Sequence, residues 1–148
     1  MESYGRWDYA IGFYQQAIAY APYEDTYYRG LGQAYIDKAA SLTTTTPAQV
    51  NAPPPVATLL ALKWESVAQF NRADCLYAAL AVFSQARQIN PLNADHTVGL
   101  AVAYQRLAAA ALDARQREQF MAAARQTYAV ALTLRPQDAQ LQAAQPRP

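Results

Sequence analysis

The chain has 148 residues, 53% of them hydrophobic, which is enough to bury one domain-sized core. Twelve Lys+Arg against eleven Asp+Glu leave a net charge of +1. With the basic residues scattered, there is no electrostatic case for a nucleic-acid partner or an anionic membrane surface. No apolar run reaches the ~18 residues of a membrane span.

The elements follow in chain order. Residues 4–20 read as a helix stopped ahead of Pro22, and residues 23–39, YEDTYYRGLGQAYIDKA, as a second helix with Leu31, Gly32 and Tyr35 on one face. Residues 42–55, LTTTTPAQVNAPPP, hold four threonines and four prolines and read as an inserted loop ending in an extended Pro53–Pro55 segment. Residues 56–70, VATLLALKWESVAQF, are helical in composition and are expected to add one extra helix before a break near Asn71 to Asp74; the alternative is a single helix from Val56 to Ile89. Two helices are expected near 94–111 and 114–134, the first capped by Asn93 and both lengthened around Asp113. The tail 137–148 begins a helix and stops.

Three prolines share an upstream pattern. Eight residues before Pro22, Pro91 and Pro136 stand Tyr14, Phe83 and Tyr128; five before stand Ala17, Ala86 and Ala131; twelve before stand Ala10, Ala79 and Ala124. The alanines allow close approach of a neighbouring helix, the aromatic fills the space between, and the proline ends the helix. After the first two prolines a second pattern recurs, with Leu31, Gly32 and Tyr35 matched by Leu100, Ala101 and Tyr104. The unit is therefore a helix-turn-helix, repeated.

With Tyr28, Leu31, Gly32 and Tyr35 in a first helix and Ala79, Phe83, Ala86 and Pro91 in a second, the sequence resembles the tetratricopeptide repeat family. Leu100, Ala101 and Tyr104, then Ala124, Tyr128, Ala131 and Pro136, continue the match, so the resemblance covers most of the chain. It implies an all-α fold, a right-handed superhelix of helix pairs. The chain departs from the family in spacing: its prolines stand 69 and 45 residues apart, where the family repeats every ~34. The expected organisation is one domain: a truncated repeat at 4–22, a repeat with an insertion at 23–91, a lengthened repeat at 92–136 and the tail. Both ends read as lacking a cap, which suggests a segment of a longer protein. The phrases AIAYAPYEDTYYRGLGQAY and ARQINPLNADHTVGLAVAYQRLA are similar to the tetratricopeptide region that follows the membrane part of bacterial O-antigen ligase or polymerase-like proteins. That narrower resemblance implies a non-catalytic appendage on the extracytoplasmic side of a membrane protein acting on lipid-linked polysaccharide. A freestanding intracellular (cytoplasmic) adaptor is the alternative, and a sugar-acting enzyme on a helical toroid the third.

No catalytic, cofactor-binding or metal-ligating set is expected. The single histidine, His96, stands in the first turn of a helix at the position Tyr27 holds in the preceding repeat, and is read as a surface or turn-packing residue. Glu24 and Asp25 are read as helix-capping carboxylates. Cys75, the lone cysteine, sits in the apolar run CLYAALAVF and is read as a buried inert thiol. Most of the eleven tyrosines fall on packing positions, leaving Tyr4, Tyr23, Tyr27 and Trp64 as exposed rings able to stack on sugars. In the family, the inner face is lined by first-helix residues. Here these map to Thr26, Arg29, Gln33, Ile36 and Asp37, then Asp95, Val98, Val102, Gln105 and Arg106. This mixed set lacks the Lys/Asn-rich clamp with which some relatives hold a peptide carboxylate. Arg29, Gln33, Asp37, Gln105 and Arg106 are the candidate polar contacts for a protein or peptide in the groove, with glycan as the other ligand class. Apolar faces at the two ends make self-association plausible.

Overall fold

The computed structural model describes residues 5–42 and 52–146. Among them the chain is all-helical: α1 (Arg6–Tyr20), α2 (Asp25–Ser41), α3 (Val56–Ala61), α4 (Trp64–Ala68), α5 (Arg72–Ile89), α6 (Ala94–Ala110), α7 (Ala114–Leu134) and α8 (Ala139–Ala144). No described helix is long and apolar enough to cross a membrane. Most of the expected loop, residues 43–51, lies outside the described residues, as does Tyr4. Pro55 adopts φ −59° and ψ 141°, the extended polyproline geometry.

The five long helices pack in chain order, each against the next, and cross-contacts fix their directions. Asp8 of α1 meets Lys38 of α2. Ala39 of α2 accepts from Arg72 of α5, while Asp25 at the opposite end of α2 accepts from Asn90. Tyr128 of α7 donates to Gln105 of α6, and Asp95 at the start of α6 pairs with Arg135 at the end of α7. Neighbours in the chain are thus antiparallel. Because α5 is antiparallel to both of its flanking helices, α2 and α6 run parallel.

Local chemistry sets the helix starts. The Asn71 side chain accepts from the Asp74 backbone N–H while the Asp74 carboxylate accepts from the Asn71 N–H, a reciprocal cap that begins α5. Asn93 and Asp113 accept from Asp95 N–H and Gln116 N–H to begin α6 and α7. The insertion departs from expectation: residues 56–70 form neither one helix nor part of a longer one, but two short helices broken at Leu62 and Lys63. The Gln15 side chain of α1 donates to the carbonyls of Leu59 and Leu62, satisfying groups that the break frees. Docking on α1 outweighs the helical composition of the segment. Leu59 and Val67 are the residues it buries.

Aromatic rings seated over glycines form the joints between long helices. A methyl group at Gly32 of α2 would lie 2.6 Å from the Phe83 ring of α5, and one at Gly99 of α6 would overlap the other edge of the same ring. Phe83 is therefore held between glycines of two helices, with 1% of its surface exposed. One repeat earlier, Tyr14 of α1 seats over Gly30 of α2 in the same way. Tyr14 and Phe83 stand eight residues before their prolines, and Gly30 and Gly99 eight after them. Ala101, the counterpart of Gly32, is buried in the same cluster as Tyr128 and Ala131.

Candidate functional site

Thr26, Arg29, Gln33 and Asp37 recur at three- and four-residue intervals, so they form one stripe along α2. The stripe borders a cavity of about 380 Å³ between α1 and α2, closed on the α1 side by Trp7, Ala10 and Tyr14. Gln33 donates to Asp37 at 3.0 Å along the helix. Arg29 is anchored at the other end of the stripe by Asp95, at 2.9 Å. The Asp95 carboxylate also receives Arg135 at 2.9 Å, so one acid ties α2, α6 and the end of α7 together. These side chains are part-exposed, and such pairs each contribute about 0–1 kcal/mol. Their effect is to orient Arg29 more than to stabilise the fold. The cavity thus combines two aromatic rings, a fixed cation, an amide and a carboxylate, a set suited to binding a polar chain by hydrogen bonds and ring contact.

The other expected groove residues lie elsewhere. Arg106 lines a separate cavity of about 260 Å³ with Arg72 and the alanine-rich ends of α2 and α6. Gln105 is half-buried and accepts from Tyr128, which turns it towards α7. Ile36, mapped to the inner face by spacing, is buried at 3% exposure and belongs to the core. Of the rings read as exposed, Tyr23 and Trp64 are exposed and Tyr27 packs partly buried against the core.

Of the two readings of His96, surface or turn-packing, the structure excludes the first. His96 is fully buried, and its Nε2 lies 2.7 Å from the Asp25 carboxylate, which also accepts from Asn90 at 3.1 Å. A carboxylate facing these two groups accepts from both, so Nε2 carries the proton. Glu24 holds the N-cap position and Asp25 the first turn of α2, as the sequence places them, and the Asp25 carboxylate also bonds to His96 of α6 and to Asn90 at the end of α5. The pair locks the starts of α2 and α6 together. No local signal in the sequence marks it, because its members are 71 residues apart.

The hydrogen bond from His96, supported by Asn90, holds the Asp25 carboxyl below its ordinary value of 3.8 against the opposing effect of burial. A folded value below the unfolded one means that this contribution is complete above pH 3.8 and is lost as pH falls through the lowered folded value. Asp25→Ala is expected to cost about 1–3 kcal/mol near neutral pH, since hydrogen bonds to a charged, largely buried group are removed. Urea unfolding of both proteins across the acid range checks this. The gap should narrow only below the ordinary carboxylate value, and a gap constant down to strongly acid pH would refute the assignment.

Two further buried polar features stand apart from the cavity. Lys38 of α2 donates to Asp8 of α1 and, at 2.8 Å, to the carbonyl of Val67 in α4. Cys75 lies fully buried, and that burial pushes its thiol up to about 12. Among the described residues, no group of three His, Cys, Asp or Glu is placed to hold a metal ion. No protein-family model matches the chain, and no curated protein does.

Proposed function

We propose that the chain is a tetratricopeptide-like helical-repeat module that binds an extended polar segment of a protein partner along the α1–α2 cavity. The observation that carries this reading is the convergence of Arg29, Gln33 and Asp37 on one cavity with Trp7 and Tyr14. The recurrence of the ring-over-glycine joint at fixed distance from Pro22 and Pro91 supports the repeat assignment. The two phrases similar to the region appended to O-antigen ligase or polymerase-like proteins support an extracytoplasmic location beside polysaccharide assembly, where the module would recruit or position a partner and leave the chemistry to the membrane part.

Selection of a displayed random-peptide library on the purified chain tests the binding role. Enriched peptides are expected to lose about tenfold or more in affinity on Asp37→Ala or Arg29→Ala, a change of about 1.4 kcal/mol. Arg106→Ala, in the other cavity, is the control and should change little. Titration with purified O-polysaccharide is run beside it: saturable binding sensitive to the same two substitutions would replace the peptide with a glycan as ligand. Enrichment indifferent to both would refute the cavity as the site. The native gene on either side of this segment tests the location, with about ten membrane-spanning segments expected upstream.

A further inference from the structure

Four glycines lie within the helices of the described chain. Gly30, Gly32 and Gly99 each leave room for an aromatic ring of the adjacent antiparallel helix. Gly12, in the middle of α1, faces nothing within 4 Å. A mid-helix glycine costs about 0.5–1 kcal/mol relative to alanine. At the other three positions the chain itself supplies the ring that justifies it. On a helical wheel Gly12 shares a face with Tyr9, Phe13, Gln16 and Tyr20. The three rings on that face are 70%, 65% and 93% exposed. The other exposed large apolar side chains, Tyr23, Trp64, Leu92 and Leu112, lie outside α1.

The register of Pro22 and Pro91 maps Tyr9, Gly12 and Phe13 onto Ala78, Ala81 and Val82 of α5. All three are buried, because α5 is flanked by long helices on both sides. Among the described residues, α1 has α2 on one flank and the short helices α3 and α4 besides. The open face thus continues an interface already built within the chain.

We propose that this face is covered by α1 of a second copy, crossing antiparallel on a two-fold axis near Gly12 and Phe13. A two-fold axis perpendicular to a helix pairs it antiparallel with itself, the direction of every ring-over-glycine joint here. Centring the axis between residues 12 and 13 sets each Phe13 over the partner's Gly12 and repeats that joint twice. Between Asp8 and Glu24 the sequence has no charged residue, so no like charges meet across the contact. The three rings present roughly 450 Å² per copy at ~200 Å² per aromatic side chain. With exposed Gln16 and Ala19 added, the pair reaches the ~1,000 Å² that a specific interface needs. Phe13 is held edge-on by Tyr14 at 5.5 Å, so little freedom is lost on docking.

Sedimentation equilibrium of the full chain from micromolar to submillimolar concentration tests the proposal. A dimer is expected, weakened by about thirtyfold or more in Phe13→Glu with the far-UV circular dichroism unchanged. An equimolar mixture of Tyr9→Cys and Gln16→Cys chains, positions that oppose each other across an axis between residues 12 and 13, should then oxidise rapidly to a disulfide-linked heterodimer, while Ser84→Cys, exposed on α5, should not link. A chain monomeric throughout overturns the proposal and leaves the face to another helix, whether of this protein or of a different one. A dimer indifferent to Phe13→Glu overturns it too. A Phe13-dependent dimer that the Tyr9→Cys and Gln16→Cys mixture fails to link overturns the two-fold crossing.

Discussion

Phe83→Ala is expected to remove about 3–5 kcal/mol, the range for a buried ring deleted from a core. For a domain whose whole stability is about 5–15 kcal/mol, that is a large share. The ring is enclosed by Gly32 on one side and Gly99 on the other, and neither glycine has a side chain to move into the space vacated. The cavity therefore stays open. Urea unfolding should show a lower midpoint at an unchanged slope. Gly99→Leu alone should also destabilise, by about 1–3 kcal/mol or more, because it forces a side chain into the ring. In combination, Phe83→Ala with Gly99→Leu should lose less than the sum of the two, since the leucine enters the space the ring has left. Additive losses would mean that the ring and this glycine are not in contact. A loss under about 1 kcal/mol for Phe83→Ala would mean that the ring is not enclosed at all.

The parts of this fold legible in the sequence are those set by neighbours along the chain. Asn93 and Asp113 start helices through bonds to backbone N–H groups two and three residues on, and the helices they begin, α6 and α7, end within one residue of where the pattern places them. The proline-anchored register finds the packing rings Tyr14, Phe83 and Tyr128 and the close approach at Gly32. The same register reaches Gly30 and Gly99, eight residues past Pro22 and Pro91, a spacing signal that sequence reasoning passed over. Stripe periodicity likewise placed Arg29, Gln33 and Asp37 on one face. It does not say which side chains turn to a neighbouring helix, which is why the same spacing also groups Gln105 and Ile36 with them. The break at Leu62 and Lys63 depends on Gln15, more than forty residues away in the chain. Buried polar pairs are the least legible. Asp25 with His96, and Asp8 with Lys38, are made by helices brought together in the fold, and each residue alone reads as an ordinary surface group.

The second large effect belongs to one of these pairs. Lys38 and Asp8 are 5% and 8% exposed, and the ammonium binds one oxygen of the Asp8 carboxylate while the other accepts from the Gly5 N–H at 3.2 Å. Asp8 thus caps α1 and binds α2 at once. The third partner, the Val67 carbonyl, makes Lys38 a second link, beside Gln15, by which the insertion is tied to the long helices. Lys38→Met keeps the aliphatic stem but leaves a buried carboxylate with one donor and removes the side-chain donor from the Val67 carbonyl, which keeps the Phe70 N–H at 3.1 Å. It is expected to cost about 3–5 kcal/mol, as is Asp8→Leu, which strands the ammonium. The double substitution removes both charges and should recover most of that loss, because a buried ion pair exchanged for apolar groups of similar volume is often neutral. A thermodynamic cycle from urea unfolding of the four proteins gives the coupling directly. Singles costing under about 1 kcal/mol each would place the pair in water. A double no better than the worse single would assign the stability to the Val67 contact, and hence to the insertion's hold on α2, in preference to the ion pair itself.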